Sequence, residues 1–83
     1  MQITLKLYAT LSEYLPSHAQ NNRVQINIDA DTTLYHLLEQ YNIPKERAHL
    51  VLLNGVYLTP KQRQQALFKD NDTMAIWPPV AGG

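Results

Sequence analysis

The strongest constraint in this chain is strict alternation near its start. Ile3, Leu5 and Leu7 are apolar, and Thr4, Lys6 and Tyr8 fall between them. Successive side chains of a β-strand point to opposite faces, so the pattern predicts a strand with one buried and one open face. The same period returns at Val24, Ile26 and Ile28, with Gln25 and Asn27 turned the other way. Two half-buried strands need an apolar surface to cover them. Leu34, Leu37, Leu38 and Tyr41 recur at helical spacing and form such a stripe. Asp31, Thr32 and Thr33 offer N-caps for that helix, and Pro44 disfavours helical geometry at Ile43, where the helix is expected to stop.

The remaining segments are shorter. Thr10 and Glu13 have capping-box spacing, and Leu11, Tyr14 and Leu15 share a helical face, which predicts a turn or two of helix ended by Pro16. Residues 17–22 are polar and turn-rich. Residues 50–53 are an apolar strand closed by the turn signal Asn54-Gly55. Thr59-Pro60 ahead of Gln62 reads as a cap, opening a polar surface turn of helix. Asp70, Asn71 and Asp72 mark a tight turn before a last strand over residues 74–77. The order is hairpin, helix, strand, short strand, final strand. The helical stripe and the strand faces bury one another most economically as an α+β fold of the β-grasp, ubiquitin-like kind. This is a mixed sheet of about four to five strands, with one main helix packed on one face and short helical turns.

Composition removes whole classes of function. Eighty-three residues make one small domain. Seven Lys plus Arg balance seven Asp plus Glu, so there is no basic footprint for nucleic acid or anionic membrane. The sequence has no cysteine, which excludes a disulfide scaffold, a thiolate zinc site, an iron–sulfur ligand set and a Cys nucleophile. The alternating N-terminus lacks the apolar stretch of a signal peptide, and no membrane span is visible, so a cytoplasmic location is expected.

Glycine is scarce: three residues, two of them Gly82 and Gly83. After Trp77 the sequence reads Pro78, Pro79, Val80, Ala81, Gly82, Gly83. The two prolines fix φ, withhold backbone donors and direct the chain away from the sheet. The expected division is a β-grasp domain over residues 1–77 and an extended, flexible C-terminal tail over residues 78–83. Such a tapering end can enter a narrow channel and deliver one group, the Gly83 carboxylate.

The Asp70-Asn71-Asp72 turn, the strand that follows and the Pro-Pro-Val-Ala-Gly-Gly ending resemble the C-terminal signature of the MoaD/ThiS family of sulfur carriers. The ending is closer to the molybdopterin synthase small subunits (MoaD) than to the thiamine carriers (ThiS). Residues 3–9, the helix opening at Asp31 to Leu34 with Leu37 and Leu38, and the Leu53-Asn54-Gly55 turn are similar to the family's first strand, helix and central turn. Asn71 stands where the family usually has Gly, and Asn also tolerates positive φ.

The resemblance implies a chemistry. A carboxylate is a poor electrophile and must be activated before sulfur can replace oxygen. An E1-like adenylyltransferase of the MoeB/ThiF type would use ATP to adenylate Gly83, with Gly82 beside it in the channel. Sulfide, supplied by a donor such as a cysteine desulfurase or rhodanese, would displace AMP and leave a thiocarboxylate. No cofactor would be held permanently; glycyl adenylate and thiocarboxylate would be transient states. The acceptor would be the molybdopterin precursor in a MoaE-like large subunit. The chain would then be no enzyme alone, but the sulfur-carrying small subunit of a sulfurtransferase complex. Thiamine, tRNA thiolation, lysine conjugation as in ubiquitin-like modifiers, and a plain β-grasp interaction module are the alternative readings.

Alternation also suggests a partner surface. Tyr8 and Trp77 fall on the open face if their neighbours face the helix, and Tyr57, just past the Asn54-Gly55 turn, could join them. Aromatic anchors are enriched at interface hot spots. With Pro78, Pro79, Val80 and Ala81, these three are the candidate partner-binding residues. His18, His36 and His49 match no metal motif, so no metal site is expected. Lys61, Arg63 and Lys69 are expected on a solvated face, with contact to an acidic E1-like partner as the alternative.

Overall fold

The computed structural model describes residues 1–80. The strands are β1 (Gln2–Leu7), β2 (Arg23–Asn27), β3 (Leu50–Leu53), β4 (Val56–Tyr57) and β5 (Thr73–Trp77), and the helix is α1 (Leu34–Gln40). Short 3-10 turns occupy Ala9–Tyr14, Lys45–Arg47 and Gln62–Gln64. The five strands form one mixed sheet in the order β2-β1-β5-β3-β4. β1 and β5 run parallel, and the other neighbours are antiparallel.

Register turns the alternation into a core. Leu5 lies opposite Val24 and Met74, Leu7 opposite Ile76, and Ile76 opposite Val51. Paired residues share a face, so these side chains form one continuous apolar surface. Leu34, Leu37 and Leu38 of α1 are buried in the same cluster, and Leu11, Ile43, Ala48, Leu58 and Phe68 complete it. Burying each such side chain contributes about 1.5–3 kcal/mol.

The ends of α1 are chemically specified. Thr33 accepts from the His36 backbone at 3.1 Å, and His36 Nδ1 accepts in return from the Thr33 backbone at 3.3 Å, completing a capping box. At the other end the helix stops at Gln40, within the limit expected at about Ile43, though Pro44 is not what stops it. Asn42 adopts φ 61°, its N–H donates to Glu39 O at 3.1 Å, and Ile43 N–H reaches Leu38 O at 2.8 Å. This Schellman closure ends the helix before Pro44 can act. The Thr10–Glu13 capping box does not form. Thr10 and Glu13 both lie inside the 3-10 turn, whose N-cap is Tyr8, with no side-chain cap. Their side chains instead meet Arg47, Thr10 as acceptor and Glu13 across 3.7 Å.

Asparagine does much of the turning. Asn21, Asn22, Asn42, Asn54 and Asn71 all have positive φ, and Gly55 is the only described glycine that does. Asn54 and Gly55, with φ of 51° and 83°, form the two-residue hairpin between β3 and β4. Asn54 also reaches across the sheet: Oδ1 accepts from Thr73 N–H at 2.8 Å, and Nδ2 donates to Asp72 Oδ1 at 2.8 Å. Asp72 Oδ2 accepts from Lys69 N–H at 2.8 Å, so the two turns are locked together below β5.

The expected solvated basic face is corrected at Arg63, which is 5% exposed. Its Nε donates to Leu58 O at 2.9 Å, Nη1 to Ala48 O at 3.0 Å and Nη2 to His49 O at 3.3 Å. The Thr59–Gln62 capping box holds the turn that carries it, with bonds of 2.9 and 3.2 Å. Arg63 thus staples the segment after β4 to the start of β3. Arg63→Met would strand buried carbonyl oxygens, and urea unfolding is expected to show a loss of about 2–3 kcal/mol. A change of only a few tenths would contradict the staple.

Candidate functional site

The candidate site is built around the end of β5. This strand lies between β1 and β3, and both neighbours hold its last residues. Tyr8 N–H donates to Ile76 O at 3.1 Å, and His49 N–H donates to Trp77 O at 3.0 Å. Pro78 has no N–H to continue either ladder, so sheet pairing ends at Trp77. Pro78 is half-buried, and Pro79 and Val80 are exposed. The candidate residues Ala81, Gly82 and Gly83 lie outside the described residues.

Tyr8 and Trp77 are brought together on the open face. Their ring centroids are 4.5 Å apart and the rings are 10° from parallel. Ala9 follows Tyr8 with φ 52°, a left-handed conformation costly for a residue with a Cβ. There the chain leaves β1 and enters the 3-10 turn. Tyr57 shares the face but not the stack. It pairs with Leu52, while Trp77 pairs with Leu50, so it sits two strands across and one row away. Its ring lies 5.7 Å from the Arg63 guanidinium carbon instead.

The open face also carries residues that sequence reasoning missed. Leu50 is opposite Trp77 and 38% exposed, and Leu52 is half-buried in the next row. An unbroken apolar run such as 50–53 does not reveal which members face out; only register does. Among the described residues no group of three or more His, Cys, Asp or Glu converges. His36 caps α1, and His49 stands at the rim of β3 beside Trp77. Partial burial pushes the phenol of Tyr41, the C-cap of α1, above its ordinary value. No described helix is long and apolar enough to cross a membrane.

A five-stranded mixed sheet covered by one helix, with its central strand ending at a Pro-Pro segment, defines a ubiquitin-like β-grasp protein. Residues 5–83 match the model of the ThiS family, and the chain belongs to that family. Solved structures agree on the fold. The crystal structure of SAMP1 from Haloferax volcanii is 24% identical over 100% of both chains, with a TM-score of 0.66. The solution structure of the H. volcanii HVO 2177 protein is 24% identical over 100% of this chain and 87% of that one, with a TM-score of 0.71. A crystal structure of H. volcanii small archaeal modifier protein 1 is 22% identical over 95% and 98% of the two chains, with a TM-score of 0.66. No curated protein matches the sequence significantly.

The Tyr8–Trp77 stack is testable by a double-mutant cycle. Tyr8→Ala and Trp77→Ala are expected to couple by about 0.5–1.5 kcal/mol in chemical unfolding. Additive losses would show that the rings do not stabilise one another.

Proposed function

We propose that this chain is a sulfur carrier. An E1-like enzyme adenylates the Gly83 carboxylate with ATP, and the outer sulfur of a donor persulfide attacks the adenylate and displaces AMP. A thiol reduces the resulting acyl disulfide to the thiocarboxylate and is itself taken into a disulfide. The thiocarboxylate gives its sulfur to the molybdopterin precursor in a MoaE-like large subunit. The observation that carries this reading is the family match, which runs through Gly83. The described geometry is compatible with it. The buried core ends at Ile76, and the strand end is held on both flanks, Ile76 by Tyr8 and Trp77 by His49. In this reading residues 1–77 are the docking domain and residues 78–83 the delivery tail. Tyr8, Trp77 and Tyr57 are partner contacts, and the acid, base and phosphate-binding groups belong to the partners.

One observation favours a second reading. Two of the similar structures carry modifier names, SAMP1 and small archaeal modifier protein 1. In a modifier the same glycyl adenylate would pass to a lysine amine and form an isopeptide. The two readings share activation and part at the nucleophile.

Intact mass spectrometry separates them. With an E1-like adenylyltransferase, ATP and a sulfide source, the expected product gains the mass difference of one oxygen-to-sulfur exchange. Transfer of that sulfur to the molybdopterin precursor in the presence of the large subunit identifies the client. A covalent adduct on a partner lysine, with no thiocarboxylate, would establish the modifier instead. Deleting Gly83 is expected to abolish either product while leaving urea unfolding unchanged.

A further inference from the structure

A groove of about 750 Å³ runs beside the start of the tail, between the Ala9–Tyr14 turn and the beginning of β3. Ala9, Leu50, Trp77 and Pro78 give it apolar walls. Arg47 and His49 line it as well, and no carboxylate does among the described residues. The groove therefore combines apolar walls with a rim of one guanidinium and one imidazole, both able to donate hydrogen bonds.

Both rim residues are held in place. Arg47 donates to the Tyr14 hydroxyl at 3.2 Å and to Thr10 Oγ1. Glu13 stands 3.7 Å from the guanidinium, but its side chain is 65% exposed, so water screens the pair. That leaves Arg47 able to meet a second carboxylate. His49 is fixed through its backbone bond to Trp77 O, which sets its side chain where β3 meets the tail.

We propose that this groove receives an extended segment of a partner protein in which a large apolar side chain is followed by a carboxylate. The apolar side chain covers Leu50 and Trp77, and the carboxylate meets Arg47 and His49. Two rim groups on a chain of zero net charge suit an isolated carboxylate better than a phosphate backbone, which needs many cations. The groove is continuous with the residues that lead into the tail. A partner seated there would hold the carrier by the same strand end that presents its terminus. The identity of the partner rests on the carrier reading; the chemistry of the segment rests on the groove.

Two synthetic peptides test the groove by nuclear magnetic resonance on the full chain: acetyl-Ser-Phe-Glu-Glu-Ser-amide and its counterpart with Lys in place of Glu. The acidic peptide is expected to move the Ala9, His49, Leu50 and Trp77 amides and to bind about tenfold more tightly than the basic one. That preference should shrink as salt is raised. His49→Glu is expected to remove it. Equal affinity for the two peptides would overturn the proposal, as would shifts confined to another face. Tighter binding of oligouridylate at the same amides would overturn it as well. A second arm uses the activating enzyme. His49→Glu should raise KM for the chain about tenfold with kcat unchanged. An unchanged KM, with wild-type loading intact, would overturn the groove and spare the carrier reading. Selective capture of the acidic peptide by a chain that is never adenylated would do the reverse.

Discussion

The parallel pairing of β1 with β5 is the constraint on which the rest of this structure depends. Two parallel neighbours cannot be joined by a hairpin, so residues 8–72 must carry the chain back to the end of the sheet where β1 began. That excursion contains everything else: the outer strand β2, the helix that covers the inner face, and the β3–β4 hairpin on the far side of β5. It also places the last strand at the centre of the sheet. A terminal strand at an edge would carry its C-terminal extension on one set of hydrogen bonds. Here Ile76 and Trp77 are held from both sides, by Tyr8 and His49, before proline ends the pairing. The tail therefore starts from a fixed point.

Holding that point requires turns that do not slip, and asparagine supplies them. Asn54 turns the β3–β4 hairpin with its backbone and joins β5 to the Asp72 turn with its side chain. Glycine would allow the first role and could not perform the second. Asn22 does likewise: it adopts φ 63°, and its amide donates to Leu7 O at 3.0 Å. The scarcity of glycine in the described domain follows from this substitution. A left-handed residue with an amide side chain gives both a turn and a cross-brace.

What was legible in the sequence was whatever depends on neighbours close along the chain. The alternation of Ile3, Leu5 and Leu7 gave β1 its buried face, and the spacing of Leu34, Leu37 and Leu38 gave α1 its stripe. The Asn54-Gly55 turn and the Thr59–Gln62 box are equally local. The helix ends within the limit read from Pro44, but the device that ends it, the left-handed Asn42, acts before the steric effect of Pro44. Arg63 was misplaced. Its acceptors are carbonyls of residues 48, 49 and 58, and a backbone carbonyl leaves no trace in residue identity. In the candidate site, alternation put Tyr8 and Trp77 on the open face. Their stacking needed the non-local register of Leu7 with Ile76, and the registers of β3 with β4 and β5 separate Tyr57 from them.

Arg63 and the tail groove are connected through β3. A buried cation is tolerable only when its donors are met, and among the described residues three carbonyls, the Tyr57 hydroxyl and the face of the Tyr57 ring surround it. Two of those carbonyls belong to Ala48 and His49, the residues that bring the chain into β3. The N–H of His49 is the one that holds Trp77 O. The Ala48–His49 peptide group is thus engaged at both ends, its carbonyl by Arg63 and its N–H by the end of β5. Loosening the segment after β4 would free the start of β3, and with it the rim of the groove and the anchor of the tail. The fold couples its most buried charge to the end of its central strand through a single residue of backbone.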